Sequence, residues 1–333
     1  MTPRVRGPLA LGIAAGVLVA TLLTGAAVGA VPVPLGLLLR PQDPAAAILI
    51  QVRLPRVLLG AVTGMSLALA GAAFQGLFRN PMADPSVVGV SAGASLGATL
   101  VLTLAGKSPG LVPLASVPAA AFLGGLLAVW TVWRLAAAGG RVPILGLLLA
   151  GVAVGSLAMA IVSLLILSDP DRAGEIVFWL VGSLSAASWK KVAVAAPWSA
   201  AGLFVLLAHR RQLNAFLLGE ETAHLLGVEV EAAKRWIFLA GSGLVAAAVA
   251  FTGNIAFVGL VVPHATRLLV GPDHRYLLPV ASLLGGAALV AADTLARTLA
   301  APAELPVGVI MSLAGTPVFL YLVRRRLQPA TSL

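Results

Sequence analysis

The chain contains no cysteine in its 333 residues, which excludes disulfides, thiolate metal ligands and cysteine nucleophiles together and leaves its redox compartment undefined. Charge is nearly as scarce: Asp, Glu, Lys and Arg make up 10% of the residues, where a soluble domain carries about a quarter. Acidic side chains are the rarer sign, 12 against 22 basic, and they form no paired-carboxylate dyad of the kind general acid–base chemistry needs. What fills the chain instead is apolar, 59% of residues, with a mean hydropathy of +1.02. This composition belongs to an integral membrane protein. A spanning helix takes roughly 20 residues, so there is room for about ten spans and none for a large soluble domain. Residues 1–333 therefore read as one transmembrane domain. The net charge of +10 in such a chain marks cytoplasmic loops rather than a nucleic-acid surface.

Apolar runs fall at 8–30, 57–78, 87–106, 111–133, 142–167, 192–208, 236–253, 255–270, 277–296 and 305–323. The first follows Arg4 and Arg6 and has small residues near Gly29 and Ala30, as a cleaved leader would. Its uncharged stretch from Gly7 to Leu39 far exceeds a leader core of about 7 to 15 residues, so it is read as a retained helix. Two segments are ambiguous. Ile176 to Trp189 is uncharged but short enough to be re-entrant, and 255–270 carries Pro263, His264 and Arg267. Charge arbitrates. With ten spans and a cytoplasmic N-terminus, Arg4, Arg6, Arg79, Arg134, Arg141, Arg210, Arg211, Lys234, Arg235, Arg267, Arg275, Arg324, Arg325 and Arg326 lie inside. These are fourteen of the 22 basic residues, leaving eight outside. An eleventh span at 176–189 inverts that ratio against the positive-inside rule. The expectation is ten transmembrane helices with both termini cytoplasmic, and 176–189 as a short amphipathic or re-entrant element on the outer side, with Trp179 and Trp189 at the interface. Glycine runs at 60–64, 89–97 and 151–155 fit either close helix packing or a pore wall with few adhesive groups. The echo of Ala73-Phe-x-Gly-Leu77 at 256–260 runs in the same direction in both copies and is not an inverted repeat.

Ionisable groups inside the spans, the usual sign of ion coupling, are almost missing. Asp293 and Arg297 are four apart on one helix face and can pair near the outer end of span nine. His209, His224, His264 and His274 show no ligand spacing, and no nucleophile motif or phosphate-binding glycine loop is present. The sequence thus points to no metal site, no cofactor and no catalysis in this chain. The most informative soluble stretch is the inner loop at about 209–235. Leu218, Thr222, Leu225 and Leu226 recur as a narrow apolar stripe, Glu220 and Glu221 occupy a first helical turn, and Gly227 stops the helix. Such a helix either packs on its own bundle or fits a groove on a partner protein. Residues 79–85 form a stiff inner turn with two X-Pro steps. Arg53, Arg56 and Arg297 put guanidinium groups on the side where positive charge is disfavoured, to bind carboxylates of an outside partner or to snorkel to lipid phosphate.

Taken together, Arg53-Leu-Pro-Arg56, Gly71-Ala-Ala-Phe-Gln75, Arg79-Asn-Pro-Met-Ala-Asp-Pro85 and Gly89-Val-Ser-Ala-Gly93 resemble the signature of the FecCD-type permeases, the membrane subunits of type II ABC importers for ferric siderophores, haem and vitamin B12. The resemblance continues in order through Phe178-Trp-Leu-Val-Gly-Ser183, Leu218-Gly-Glu-Glu221, Leu226-Gly227, Gly259-Leu-Val-Val-Pro-His264, Gly271-Pro-Asp-His-Arg275 and Pro302-Ala-Glu-Leu-Pro-Val-Gly308. It implies an all-α membrane fold of ten helices, the type II importer permease fold, pairing with a second permease subunit, taken as an identical copy. It also implies two cytoplasmic ATPase subunits that hold Mg-ATP and an extracytoplasmic substrate-binding protein, in the inner membrane, with no nucleic acid. By the same resemblance, Leu218, Gly219, Glu220, Glu221, Ala223, Leu225, Leu226 and Gly227 couple to the ATPase, and Arg53, Arg56 and Arg297 dock the binding protein. Asn80, Met82, Ile144 and Leu145 form the cytoplasmic gate; vitamin B12 members carry small hydroxyl residues at the last pair. Ile144 and Leu145 depart from that pattern; a ferric siderophore is the first expectation for cargo, haem the second and cobalamin the third. The competing class is an ion-coupled secondary transporter, which needs carboxylates near the bilayer midplane.

Overall fold

The computed structural model describes residues 6–29, 33–40, 42–107, 113 and 116–327. Its helices are α1 (Gly7–Ala27), α2 (Pro44–Ala47), α3 (Leu54–Leu77), α4 (Val90–Lys107), α5 (Val117–Ala136), α6 (Ile144–Ser168), α7 (Ala173–Leu180), α8 (Trp189–Ala208), α9 (Arg210–Phe216), α10 (Glu220–Leu225), α11 (Val230–Thr252), α12 (Val258–Val270), α13 (His274–Thr298) and α14 (Val307–Leu327). Eight of these are long and apolar enough to cross a bilayer, with the α3 span beginning at Ile48, and α4 and α12 supply two shorter apolar helices. The all-α architecture and ten apolar helices agree with the span pattern of the sequence. The ends of the runs near Ala30 and 111, and Arg4, lie outside the described residues.

The second span begins earlier than position 57. A wider π-type turn over Ile48–Arg53 joins α2 to α3 in one rod. Arg53 and Arg56 interrupt the uncharged run in sequence, but the fold buries both, so the charges do not end the helix. The segment near 176–189 is not a span. Helix α7 buries Ile176, and its end turns in toward the bundle, where Ser183 N–H donates to the Thr252 carbonyl at 2.7 Å and Gly308 N–H to the Gly182 carbonyl at 3.3 Å. Trp189 is 40% exposed and donates its indole N–H to the Ile50 carbonyl at 2.9 Å.

Helices α3, α11 and α13 form the centre, with α12 and α1 against α3 and α13, and α4 and α5 packed as a pair beside α11. Over its most apolar stretch α3 is 83% buried, while α6 and α8 are 17% buried and therefore present most of their apolar side chains outward. Small residues set the central spacing. A Cβ added at Gly64 would run into the Gly285 carbonyl of α13, and one at Gly71 into the Gly259 carbonyl of α12. Bare backbone on both sides is what lets these helices touch. Gly93 and Gly97 meet α5 in the same way, and Gly151 of α6 meets the Val87 carbonyl. Of the two readings of the glycine runs, close packing within this chain is the one these contacts support.

Helix α12 has only 13 residues, about 20 Å of rise. The chain reaches it through a non-helical break after α11, with left-handed backbone at Gly253 (φ 70°) and Phe257 (φ 67°). That break, the end of α7 and the start of α14 approach backbone to backbone, so one end of the bundle is closed by irregular chain buried in protein. We call this the upper end, because α1 finishes there beside Arg53 and Arg297, and the opposite end the lower. At the lower end Gly7 lies against the Tyr276 ring, Gly76 against the His274 ring and Gly219 against the Arg79 guanidinium.

Candidate functional site

Three arginines converge at the upper end. Helix α1 ends without a basic residue in its last turn, so its final carbonyls need donors from elsewhere. Arg53 Nη1 donates to the Ala26 and Ala27 carbonyls at 3.1 and 2.8 Å, and Arg297 donates to those of Gly25 and Val28 at 2.9 and 3.1 Å. Both cations thus sit at the negative end of the α1 dipole. Asp293 lies between Arg56 and Arg297: Arg56 Nη2 donates to Oδ1 at 2.9 Å and Arg297 Nε to Oδ2 at 3.0 Å. Arg56 also reaches Glu304 at 2.8 Å. The Asp293–Arg297 pair read from the sequence is therefore present, joined by Arg56 from 237 positions away.

The three cations expected to dock an outside partner are gathered at this one end. Arg53, Arg56 and Arg297 are only 7, 7 and 4% exposed, and each donates to this chain's own oxygens. Each guanidinium is thus held in place by helix-end carbonyls or a carboxylate, at the end where docking of an outside partner is expected. Among upper-end basic residues, Arg40 and Lys190 are exposed.

At the lower end, the loop between α8 and α11 folds into α9 and α10. Helix α10 is closed by a Schellman motif: Val228 N–H donates to the Ala223 carbonyl at 3.0 Å and Gly227 N–H to that of His224 at 2.9 Å, with Gly227 left-handed at φ 83°. Ala223 is fully buried and faces the bundle, whereas Leu218, Leu225 and Leu226 are 64, 85 and 63% exposed. Three leucines standing in solvent around a six-residue helix form an apolar knob. Beside it a recess of about 590 Å³ opens between α9 and α11, lined by His209, Gln212, Ala215, Glu229, Ala233 and Trp236 among others.

Two attachments hold this loop. Asn214 of α9 donates to Asp273 at 2.8 Å and accepts from the His274 N–H at 2.9 Å, tying α9 to the start of α13. The Arg275 N–H and the Asn214 amide hold the Asp273 carboxyl below its ordinary value, because both donate to its ionised form. The second attachment is Lys234 of α11, 1% exposed, which pairs with Glu220 of α10 at 3.0 Å and Glu231 at 2.7 Å and donates to the Val142 carbonyl at 2.9 Å.

The expected gate residues also lie at this end. Asn80 is exposed just beyond α3 and accepts the Met82 N–H at 3.0 Å, stiffening the turn that holds both. Ile144 and Leu145 open α6, Ile144 half-buried and Leu145 66% exposed. Higher up, α6 crosses the turn at 85–89 through Gly151, about 9 Å of helix rise beyond Leu145. The role of Lys234 was not read from the sequence, where it counted only as an inside charge; the Glu231–Lys234 spacing of three was the available signal.

The family model for the FecCD transport family matches residues 17–325. The chain belongs to the FecCD family. Among similar members, the cobalamin import system permease protein BtuC of Halobacterium salinarum is 51% identical over 275 residues, covering 83% of this chain and 73% of BtuC. The hemin transport system permease protein HmuU of Yersinia pestis is 45% identical, covering 83% of each chain. A solved inward-facing structure of a metal-chelate type ABC transporter superposes with a TM-score of 0.85 at 33% identity, covering 96% of this chain and 99% of that one. This FecCD chain is thus a multi-pass membrane protein whose relatives are permeases of importers for vitamin B12, haem and iron chelates.

Proposed function

We propose that this FecCD chain is the permease subunit of an ATP-driven importer in the cytoplasmic membrane, moving a bulky metal chelate by alternating access. The apolar knob of α10 carries the reading: a short capped helix with three exposed leucines beside a recess has the shape of a plug for a partner's groove. That partner is a separate cytoplasmic ATPase holding Mg-ATP, present twice and serving two copies of this chain. ATP binding and hydrolysis would shift the pair between outward and inward openings, with Asn80, Met82, Ile144 and Leu145 at the inner constriction. An extracytoplasmic binding protein would dock at the upper end, where Arg53, Arg56 and Arg297 gather and Arg40 and Lys190 are exposed.

For cargo, the relatives named for cobalamin and hemin favour a tetrapyrrole metal complex over a ferric siderophore, the first expectation from the sequence. The test is uptake into proteoliposomes holding this chain, its cognate ATPase and binding protein, with cobalamin, hemin and a ferric siderophore in parallel. ATP-dependent uptake that survives collapse of ion gradients is expected. Uptake driven by a proton or sodium gradient without ATP would replace this reading with ion-coupled transport.

A further inference from the structure

An ATPase that pulls on α10 needs a path to the inner constriction, and α10 has only six residues and few contacts of its own. The Lys234 ammonium has three N–H donors and, in the structure, three acceptors: Glu220 of α10, Glu231 of its own helix and the Val142 carbonyl. The other edge of the same residue is held too, since the Val142 N–H donates to Glu231 Oε2 at 3.1 Å. Val142 is buried and stands two residues before Ile144, the first residue of α6. Ahead of it the α5–α6 connection is a tight turn, with Ala138 and Arg141 bridged around Gly139 and Gly140. Glu220 and the backbone that begins α6 are therefore held by one buried cation. On its other side the start of α10 abuts the turn after α3, where the Arg79 Nη1 would lie 3.4 Å from a Cβ at Gly219.

We propose that Lys234 is the transmission element linking α10 to the start of α6, a positioning residue for transport that takes no part in docking the ATPase. This rests on the reading of α10 as the ATPase contact. The Glu220 and Glu231 side chains are 36 and 38% exposed, so water reaches the carboxylates while the ammonium stays dry. Such a joint changes partners at low cost on the carboxylate side and keeps its buried pivot. An apolar residue at 234 would fill the space but leave α10 and α6 independent.

The absence of cysteine permits a clean test. Leu145→Cys, labelled with an environment-sensitive bimane, reports the start of α6 in the full complex with the cognate ATPase in nanodiscs. In this background Lys234→Met should retain the ATPase on purification and hydrolyse ATP, while the ATP-dependent emission change falls by about fivefold or more, the scale of a typical coupling between sites. Lys234→Arg should keep most of the response. Glu220→Gln, altered at a partly exposed position, should weaken the response likewise, and serves if Lys234→Met does not fold. A wild-type emission response in Lys234→Met or Glu220→Gln overturns the proposal. Failure of the ATPase to bind the unsubstituted chain is a different result, which removes the reading of α10 itself.

Discussion

Both ends of this FecCD chain bury cations, and they do so differently. At the upper end Arg53, Arg56 and Arg297 join α1, α3 and α13 around Asp293, whose side chain is 2% exposed, and around the carbonyls that end α1. At the lower end Lys234 is equally dry, but its carboxylates are over a third exposed and one belongs to a six-residue helix. Rigid planar guanidinium groups between long helices make a fixed joint; a flexible ammonium on a long helix, gripping a six-residue helix and a turn, makes a movable one. The same physics of satisfying buried charge yields a scaffold in one place and a lever in the other.

The comparison can be broken most severely at Asp293. Asp293→Asn leaves Arg56 and Arg297 buried beside a neutral group and should cost about 3–5 kcal/mol, seen as a large fall in thermal unfolding temperature in detergent. Lys234→Met should cost less, because Glu220 and Glu231 can hydrate once released. Equal losses would erase the distinction between the two joints. Next is Gly64→Val, which must push α13 away from α3 and should destabilise by about 1–3 kcal/mol while leaving ATPase binding intact. Gly227→Ala, at φ 83°, should cost about 1 kcal/mol, expressed as looser attachment of α10 and weaker ATPase binding with the bundle's unfolding unchanged. The smallest effect concerns Asp273. Its folded-state pKa is depressed, so its contribution is present above the ordinary 3.8 and lost as pH falls through the lower folded value. Asp273→Asn should flatten the acid side of the stability profile in that window, and an unchanged slope removes Asp273 from the lower joint.

Much of this was legible in the chain. The ten apolar helices follow from run lengths and charge placement, and the α10 cap from Gly227 after a leucine stripe. The Asp293–Arg297 pair follows from a helical spacing of four. The convergence of the arginine trio was not legible, because no spacing in the chain reveals the unsatisfied carbonyls of α1 that hold Arg53 and Arg297. The joint at Lys234 was hidden because its partner Val142 contributes only backbone, which carries no side-chain signature. The start of the α3 rod was set too late because Arg53 and Arg56 looked like a water-facing boundary.

The central claim, that a separate ATPase grips this subunit at α10, is most directly tested with one cysteine at Leu225, the most exposed of the three leucines, in the otherwise cysteine-free chain. In the assembled complex this cysteine should crosslink to the ATPase subunit, with the crosslink yield changing on ATP addition and a control cysteine at Leu167 giving none. A complex that hydrolyses ATP and imports its chelate while Leu225→Cys crosslinks to nothing would contradict the account.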